Sequence, residues 1–408
     1  QDLGCGTPTR YRADANAESL EPKTIETTYR KIDDLLGIGV PHDEMRAILE
    51  RLGFGVTEKE GGMSVTVPLW RDDVDGYPDL AEEIIRSYGY EHIVPTFLAA
   101  ATVTRGGLTE AQKQEAKCKS VLAGEGYMEA CNYSFYSPKD LDLLRLPADV
   151  PEHGAIRILN PIGEDLSVMR TILAPSMIAN VVRNVRRGND GGRLFELANV
   201  YLPKELPLKE LPDERKHLVL ALWGEGDFFD IKGAIEALAE AFGLKLSFER
   251  GEKPFLHPGI TAVVKLGEKE VGWLGELHPA IAAELALEKR VCLAELDYAA
   301  MERKFARDIV YKPVPKFPAA VRDLAVVVGE DVTCAQMTEC ILRSCKAAKK
   351  AELFDVFRGP RLGVGKKSMA FHITFVPEGD KPLTPENVDA FFKKIVAALG
   401  KNCNAELR

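Results

Sequence analysis

Four carboxylates crowd the stretch WRDDVDGYPDLAEEIIRSYGY, from Trp70 to Tyr90: Asp73, Asp79, Glu82 and Glu83. The last three fall at i, i+3 and i+4, a spacing that places them on one face of a helix. Asp73 lies upstream, across a turn marked by Gly76 and Pro78. Unneutralised, such a cluster repels itself. Oxygen ligands of this kind suit a hard divalent cation, and Mg²⁺ takes only a few carboxylates while keeping several waters. The arrangement therefore suggests a metal-knitted joint. A plainer reading also stands. Asp79 followed by Glu82 makes a capping-box-like start for a helix over Leu80–Ser87, and acids in a first turn suit the macrodipole. Asp73 pulls back toward the ion, because capping has no use for it.

Other reactive groupings are sparse. The seven histidines include none beside a Ser or Cys in a GxSxG elbow. His257 and His278 each sit in an L-H-P tripeptide, which reads as a turn rather than as half of a zinc site needing three or four ligands. There is no GxxxxGKS loop and no GxGxxG. Gly191-Gly192 before Arg193 reads as a hairpin turn rather than a phosphate approach. The eight cysteines form no CxxC pair and read as buried thiols of a reducing compartment. Cys340 and Cys345 lie near one another on a helix, without a histidine to make a metal site.

A chain of 408 residues, 46% of them hydrophobic, has room for two to four domains with real cores. It contains no run of about 18 apolar residues, so no membrane span is expected. Its net charge of −9 argues against indiscriminate nucleic-acid binding. That charge is uneven. From Lys312 to Arg408 there are 16 basic and 11 acidic residues, against 37 and 51 in the rest. A basic module on an acidic body suggests a local polyanion contact. Its basic points are Lys316, Arg322, Arg358, Arg361, Lys366 and Lys367, interleaved with Phe317, Phe354 and Phe357. Aromatics among cations on a small sheet stack unpaired bases. By strand spacing Phe354 is assigned to the core and Phe357 is left open.

The elements that must position these groups read as follows. TYRKIDDLLG and PHDEMRAILERLGF are helices, the second with Ile48, Leu49 and Leu52 as its apolar stripe. MSVTVPLW alternates as a strand, and the acidic helix follows. This compact α+β unit extends to about Thr96. Its helix pair has a nucleic-acid-binding shape on an acidic body. Thr109 with Gln112 opens another helix. EACNYSFYS, AIRILNPI, GGRLFELANVYLP, HLVLALWG, a hairpin around Gly267-Glu268 and VCLAELDY are strand signals, with helices over Ile172–Arg187 and FDIKGAIEALAEAFG. They make a largely antiparallel sheet flanked by helices. Past Lys312 the order is βαββαβ, the ferredoxin-like split motif.

Together these segments resemble the beta subunit of bacterial phenylalanine–tRNA ligase, from about Ser19 to Arg408. The markers are the acidic segment, LNPIGEDLSVMRTILAPSM, GGRLFELANVY, VGWLGELHP, and PKFPAAVRDLAVVV with FDVFRGPRLGVGKKSMAF. The resemblance implies a multidomain α+β protein: a lead segment (1–18), an acidic-helix domain (19–96), an inactive class II synthetase core (97–311), and a ferredoxin-fold anticodon-binding domain (312–408). It implies that Asp73, Asp79, Glu82 and Glu83 bind a Mg²⁺ shared with an alpha subunit. Arg193 and Glu196 only echo the arginine and glutamate of a working adenylation site. The glycine-rich segment ending in Glu-Arg, with its ATP-holding arginine, is missing. The family's front tRNA domain and editing domain do not fit before Ser19, so editing is not assigned to these residues.

The expectation is thus a non-catalytic portion of a cytoplasmic aminoacyl-tRNA ligase, in an alpha2beta2 heterotetramer that binds ATP, phenylalanine and tRNA-Phe. Lys316, Arg322, Arg361, Lys366 and Lys367 are its candidate phosphate contacts. The competing readings are an independent Mg²⁺-dependent hydrolase built on the acidic cluster, and a standalone interaction module.

Overall fold

A computed structural model describes residues 4–7, 10, 11, 13, 15, 21–97, 106–305, 311, 313–377 and 381–408. The chain divides into two compact units, Gln1–Gly107 and Leu108–Arg408. The boundary positions Ser19 and Lys312 lie outside the described residues.

In the first unit the order is β1 (Thr24–Thr28), α1 (Tyr29–Leu36), α2 (His42–Arg51), β2 (Gly55–Lys59), β3 (Gly62–Thr66) and α3 (Tyr77–Tyr88). The strands form an antiparallel sheet in the order β1-β3-β2. Thr28 caps α1 by accepting from the Lys31 N–H, and Gly37 ends it in a left-handed turn, φ 71°. Ile48 and Leu49 of α2, Leu80 and Ile84 of α3, and Met63 and Val65 of β3 meet in one core. The inward stripe of α3 is what fixes its outer face, where the acids stand.

The second unit opens with α4 (Glu110–Gly124), capped as expected by Thr109 and Gln112. Then come β4 (Met128–Glu129), β5 (Phe135–Tyr136), α5 (Pro138–Leu143), β6 (Val168–Met169), α6 (Ala174–Arg186), β7 (Gly192–Leu202) and β8 (Asp213–Trp223). They are followed by α7 (Phe228–Ala241), β9 (Leu246–Arg250), β10 (Leu256–Leu266), β11 (Lys269–Leu277), α8 (Pro279–Glu284), β12 (Val291–Leu296) and α9 (Tyr298–Glu302). The main sheet runs β4-β7-β8-β12-β11-β10-β9, antiparallel except for β4 beside β7. One of its faces carries Phe195, Leu218, Leu220 and Leu222 toward α7. The other carries Leu194, Val219, Ala221 and Trp223 toward α6. Burial on both faces explains why HLVLALW is apolar without alternation.

EACNYSFYS and AIRILNPI shrink to short pieces: the pair β5–β6, and an isolated bridge from Arg157 to Val168. Gly191-Gly192 makes no hairpin turn. Gly192 opens β7, where an added Cβ would come within 2.3 Å of the Trp223 ring. The glycine is there for close approach.

The chain closes with β13 (Ala320–Gly329), α10 (Cys334–Ser344), β14 (Ala348–Phe357), β15 (Lys366–Phe375), α11 (Pro385–Cys403) and β16 (Glu406–Leu407). The sheet order β14-β15-β13-β16 is the antiparallel ferredoxin-like arrangement that the βαββαβ reading requires. Leu324, Val326, Met369, Phe371 and Ile373 pack on Ile341 and Ile395 of the two helices. Among the described residues both helices lie on that one side, and the opposite face presents exposed side chains such as Phe354 and Phe357.

Candidate functional site

The acids of α3 occupy three different environments. Gly76 is the N-cap, and Pro78 stands in the first turn. Asp79 reaches back, its Oδ2 accepting the N–H groups of Asp75 and Gly76 at 2.8 Å each. Asp79 does cap, but the expected Asp79–Glu82 box is corrected: Gly76 is the N-cap, Asp79 is the third helical residue, and the helix begins at Tyr77. Glu83 is only 3% exposed, whereas Glu82 faces solvent. Arg71 ties the group together. Its Nη2 donates to Asp73 Oδ2 at 2.7 Å and to Glu83 Oε1 at 2.6 Å, and its Nε to Asp73 Oδ1 at 2.8 Å. Arg86 holds the other Glu83 oxygen at 2.5 Å. Its hydrogen bonds from Arg71 hold the Asp73 carboxyl down at about 2. Arg71 also lowers Glu83, with help from Arg86 and against the cost of burial.

Among the described residues no three His, Cys, Asp or Glu side chains converge to hold a metal. The donors nonetheless have the right chemistry. Mg²⁺ needs only one or two protein carboxylates when other oxygens complete its shell, and Asp73 and Glu82 are exposed. The set fits as part of a site. A hydrolase using this cluster alone would need carboxylates freed from Arg71 and Arg86. Sequence reading missed Arg71, although it stands two residues before Asp73, because its second partner is twelve positions away.

The C-terminal cations divide between two faces. Lys366 is exposed and pairs with Glu406 at 3.2 Å. Lys367, next along β15, turns toward the helices, is nearly buried, and donates to the Glu330 carbonyl at 2.9 Å. Arg322, opposite Ile373 in the ladder, lies 4.0 Å from Asp389 of α11. Arg361 and Lys316 are exposed. Arg358 is held by Glu330 through Nε and Nη2 at 2.9 and 2.6 Å.

Phe354 is not core. It is 50% exposed and stacks on His372 with ring centroids 4.0 Å apart. The ladder slips between Leu353 and Asp355, and that bulge puts Phe354 on the side away from the helices. Phe357 lies there too, with the Arg408 guanidinium over its ring. His372 bonds Asp323 at 2.6 Å. His372 and Arg408 were not singled out from sequence. A bulge shifts strand parity without leaving a mark in composition, and strand β16 is only two residues long.

In the main sheet Arg193 and Glu196 are three apart on β7 and so point to opposite faces. Arg193 lies over Tyr127 and donates to the Glu125 carbonyl at 3.0 Å. Glu196 is buried against Arg170 at 3.0 Å, with Asn132 donating its N–H and Nδ2 to the two carboxylate oxygens. Arg170 also donates from Nε to the Asn199 carbonyl and from Nη1 to that of Tyr133, and Asn180 Nδ2 donates to Asn132 Oδ1 at 3.0 Å. Glu295, also buried, accepts the N–H groups of Leu173 and Ala174 and bonds His217 Nδ1 at 2.8 Å. His257 and His278 accept local N–H groups at 3.0 and 3.1 Å, as turn histidines do.

Comparison with known families gives three matches in sequence order. They are the tRNA synthetase B5 domain over residues 25–90, the phenylalanyl tRNA synthetase beta chain CLM domain over 94–298, and the ferredoxin-fold anticodon binding domain over 315–408. Curated relatives include the phenylalanine–tRNA ligase beta subunits of Clostridium acetobutylicum, 34% identical over 411 residues, and Halalkalibacterium halodurans, 36% over 422. Each alignment covers 100% of this chain and 52% of the relative. That of Listeria monocytogenes is 34% identical, covering 94% and 48%. The chain spans about half the length of the curated relatives it matches.

Proposed function

Because this chain belongs to the phenylalanyl-tRNA synthetase beta-chain family, we propose that it is the non-catalytic assembly and RNA-contacting part of a phenylalanine–tRNA ligase. Its modules are the acidic-helix domain, a synthetase-like core that carries out no adenylation, and an anticodon-binding domain. An alpha subunit supplies the site for ATP and phenylalanine, in a cytoplasmic alpha2beta2 assembly. No described helix is long and apolar enough to cross a membrane.

The observation that carries the inactive-core reading is the divergence of Arg193 and Glu196. One side of β7 presents a guanidinium engaged with Tyr127, and the other buries a carboxylate already matched by Arg170. Bringing Glu196 to a substrate would leave Arg170 as an unpaired buried charge, at a cost of about 3–5 kcal/mol.

At the acidic helix, Asp73, Asp79, Glu82 and Glu83 would contribute to a Mg²⁺ shared with the alpha subunit. The ion would supply positive charge beside these carboxylates. What this chain does itself is hold Asp73 and Glu83 ionised and in place through Arg71. The tRNA contact falls on the face of the C-terminal sheet away from the helices. Phe354 and Phe357 offer stacking surfaces there, and Lys316, Arg361, Lys366 and Arg408 are the cations for phosphates. Arg322, turned to the helix side, is a secondary candidate, whereas Lys367 on that side is engaged by the Glu330 carbonyl.

The test is to mix the chain with a bacterial alpha subunit and weigh the product. A complex of both subunits, with no phenylalanine-dependent pyrophosphate exchange by the chain alone, is expected. Robust exchange by the pure chain, or no association at any Mg²⁺ concentration, would overturn the proposal.

A further inference from the structure

Behind the C-terminal sheet, α10 and α11 pack together and leave an open groove of about 880 Å³. Two cysteines open onto it. Cys340 comes from α10, and Cys403 is the last residue of α11. Asn402, the residue before Cys403, places its Nδ2 3.6 Å from Cys340 Sγ, so the end of α11 meets α10 at this thiol. Both side chains pack partly against the core of this domain without being sealed in it. That accessibility separates them from Cys118, Cys292 and Cys345, which are buried. Burial pushes the Cys118 and Cys292 thiols up to about 12, which makes them poor nucleophiles.

We propose that Cys340 and Cys403 form a reversible disulfide with a small-molecule disulfide such as glutathione disulfide as oxidant, stapling α10 to α11. The first thiolate attacks one sulfur of the oxidant, breaks its S–S bond and expels a thiolate, which takes up a proton. The second cysteine then loses its proton and attacks the cysteine sulfur of the mixed disulfide, expelling the second small thiol. Two protein thiols give up two electrons, and one oxidant molecule becomes two thiols. Burial and the adjoining Cys340 push the Cys403 thiol up, so Cys340 attacks first and Cys403 resolves. Arg343, Lys394, Asp331 and Glu339 also line the groove, and Glu339 pairs with Arg343 at 3.1 Å.

The experiment treats the reduced full chain with increasing glutathione disulfide, blocks remaining thiols and maps peptides by mass spectrometry. A linked peptide joining Cys340 to Cys403 should be the first intramolecular product, and dithiothreitol should reverse it. Cys403→Ser should stop at one glutathione adduct on Cys340, recovered as free thiol on reduction. Adducts on exposed Cys5 and Cys131 while Cys340 and Cys403 stay reduced would overturn the proposal. So would a different cysteine pair linking first. The wild-type peptide map decides on its own if the variant misfolds.

Discussion

Asp73 and Glu83 share one nitrogen. The Nη2 of Arg71 donates to Asp73 Oδ2 at 2.7 Å and to Glu83 Oε1 at 2.6 Å, so one guanidinium spans the loop before α3 and the helix itself. Arg71→Ala leaves the nearly buried Glu83 with Arg86 alone. We expect a loss of about 2 kcal/mol, less than a fully buried pair because Arg71 is partly exposed, with faster amide exchange across α3. Exchange unchanged from the parent would mean the bridge contributes nothing.

The same bridge sets an acid limit. Asp73 and Glu83 ionise lower when folded than when unfolded. Their contribution is therefore complete above the ordinary carboxylate range of about 4, and is lost as pH falls from there toward about 2. An acid titration of the full chain with and without Arg71→Ala, followed by amide exchange across residues 21–97, checks this. The variant should lose the steepest part of the transition.

Glu82 separates assembly from folding. It is exposed, and its side chain is not among those of the domain's core. Glu82→Ala should leave the melting of the isolated chain within about 0.5 kcal/mol of the parent while weakening Mg²⁺-dependent association with an alpha subunit. Asp79→Ala should do both, since it also removes the acceptor of two N–H groups, at about 1 kcal/mol. Sedimentation with and without chelator distinguishes them; equal association by Glu82→Ala would remove it from the joint.

On the C-terminal sheet, Phe354→Ala should weaken tRNA binding about tenfold, the scale of one lost stacked base. Lys366→Ala should reduce the salt slope by about one ion. Lys367→Ala should act on stability instead, because its ammonium is spent inside the domain. Filter binding at several salt concentrations reads all three, and a salt slope unchanged by Lys366→Ala would move the contact elsewhere.

Glu295 carries a core prediction. It caps the entry to α6 from a strand more than a hundred residues later in the chain. Glu295→Ala should cost about 2–3 kcal/mol through orphaned N–H groups, measured by urea unfolding, with Glu295→Gln milder.

What the sequence made legible were the features written locally. The βαββαβ order follows from alternation along β13 and β15 and from stop signals between them. The α4 cap follows from Thr109 and Gln112, three residues apart. The neutralisation of Asp73 and Glu83 was not readable in this way, because it depends on where Arg71 lands after the turn at Gly76 closes. Phe354 was misjudged because one bulge inverted the parity of its strand. Cys340 was grouped with Cys345 by nearness along the helix, whereas its neighbour in space comes from the far end of α11.

Arg71 gives the acidic helix an internal counter-ion. Asp73 and Glu83 are thus matched by a charge from the same region of the chain. If the proposed joint is right, any demand for magnesium belongs to the meeting of subunits, and scarcity of the ion would leave well-formed halves waiting rather than misfolded ones.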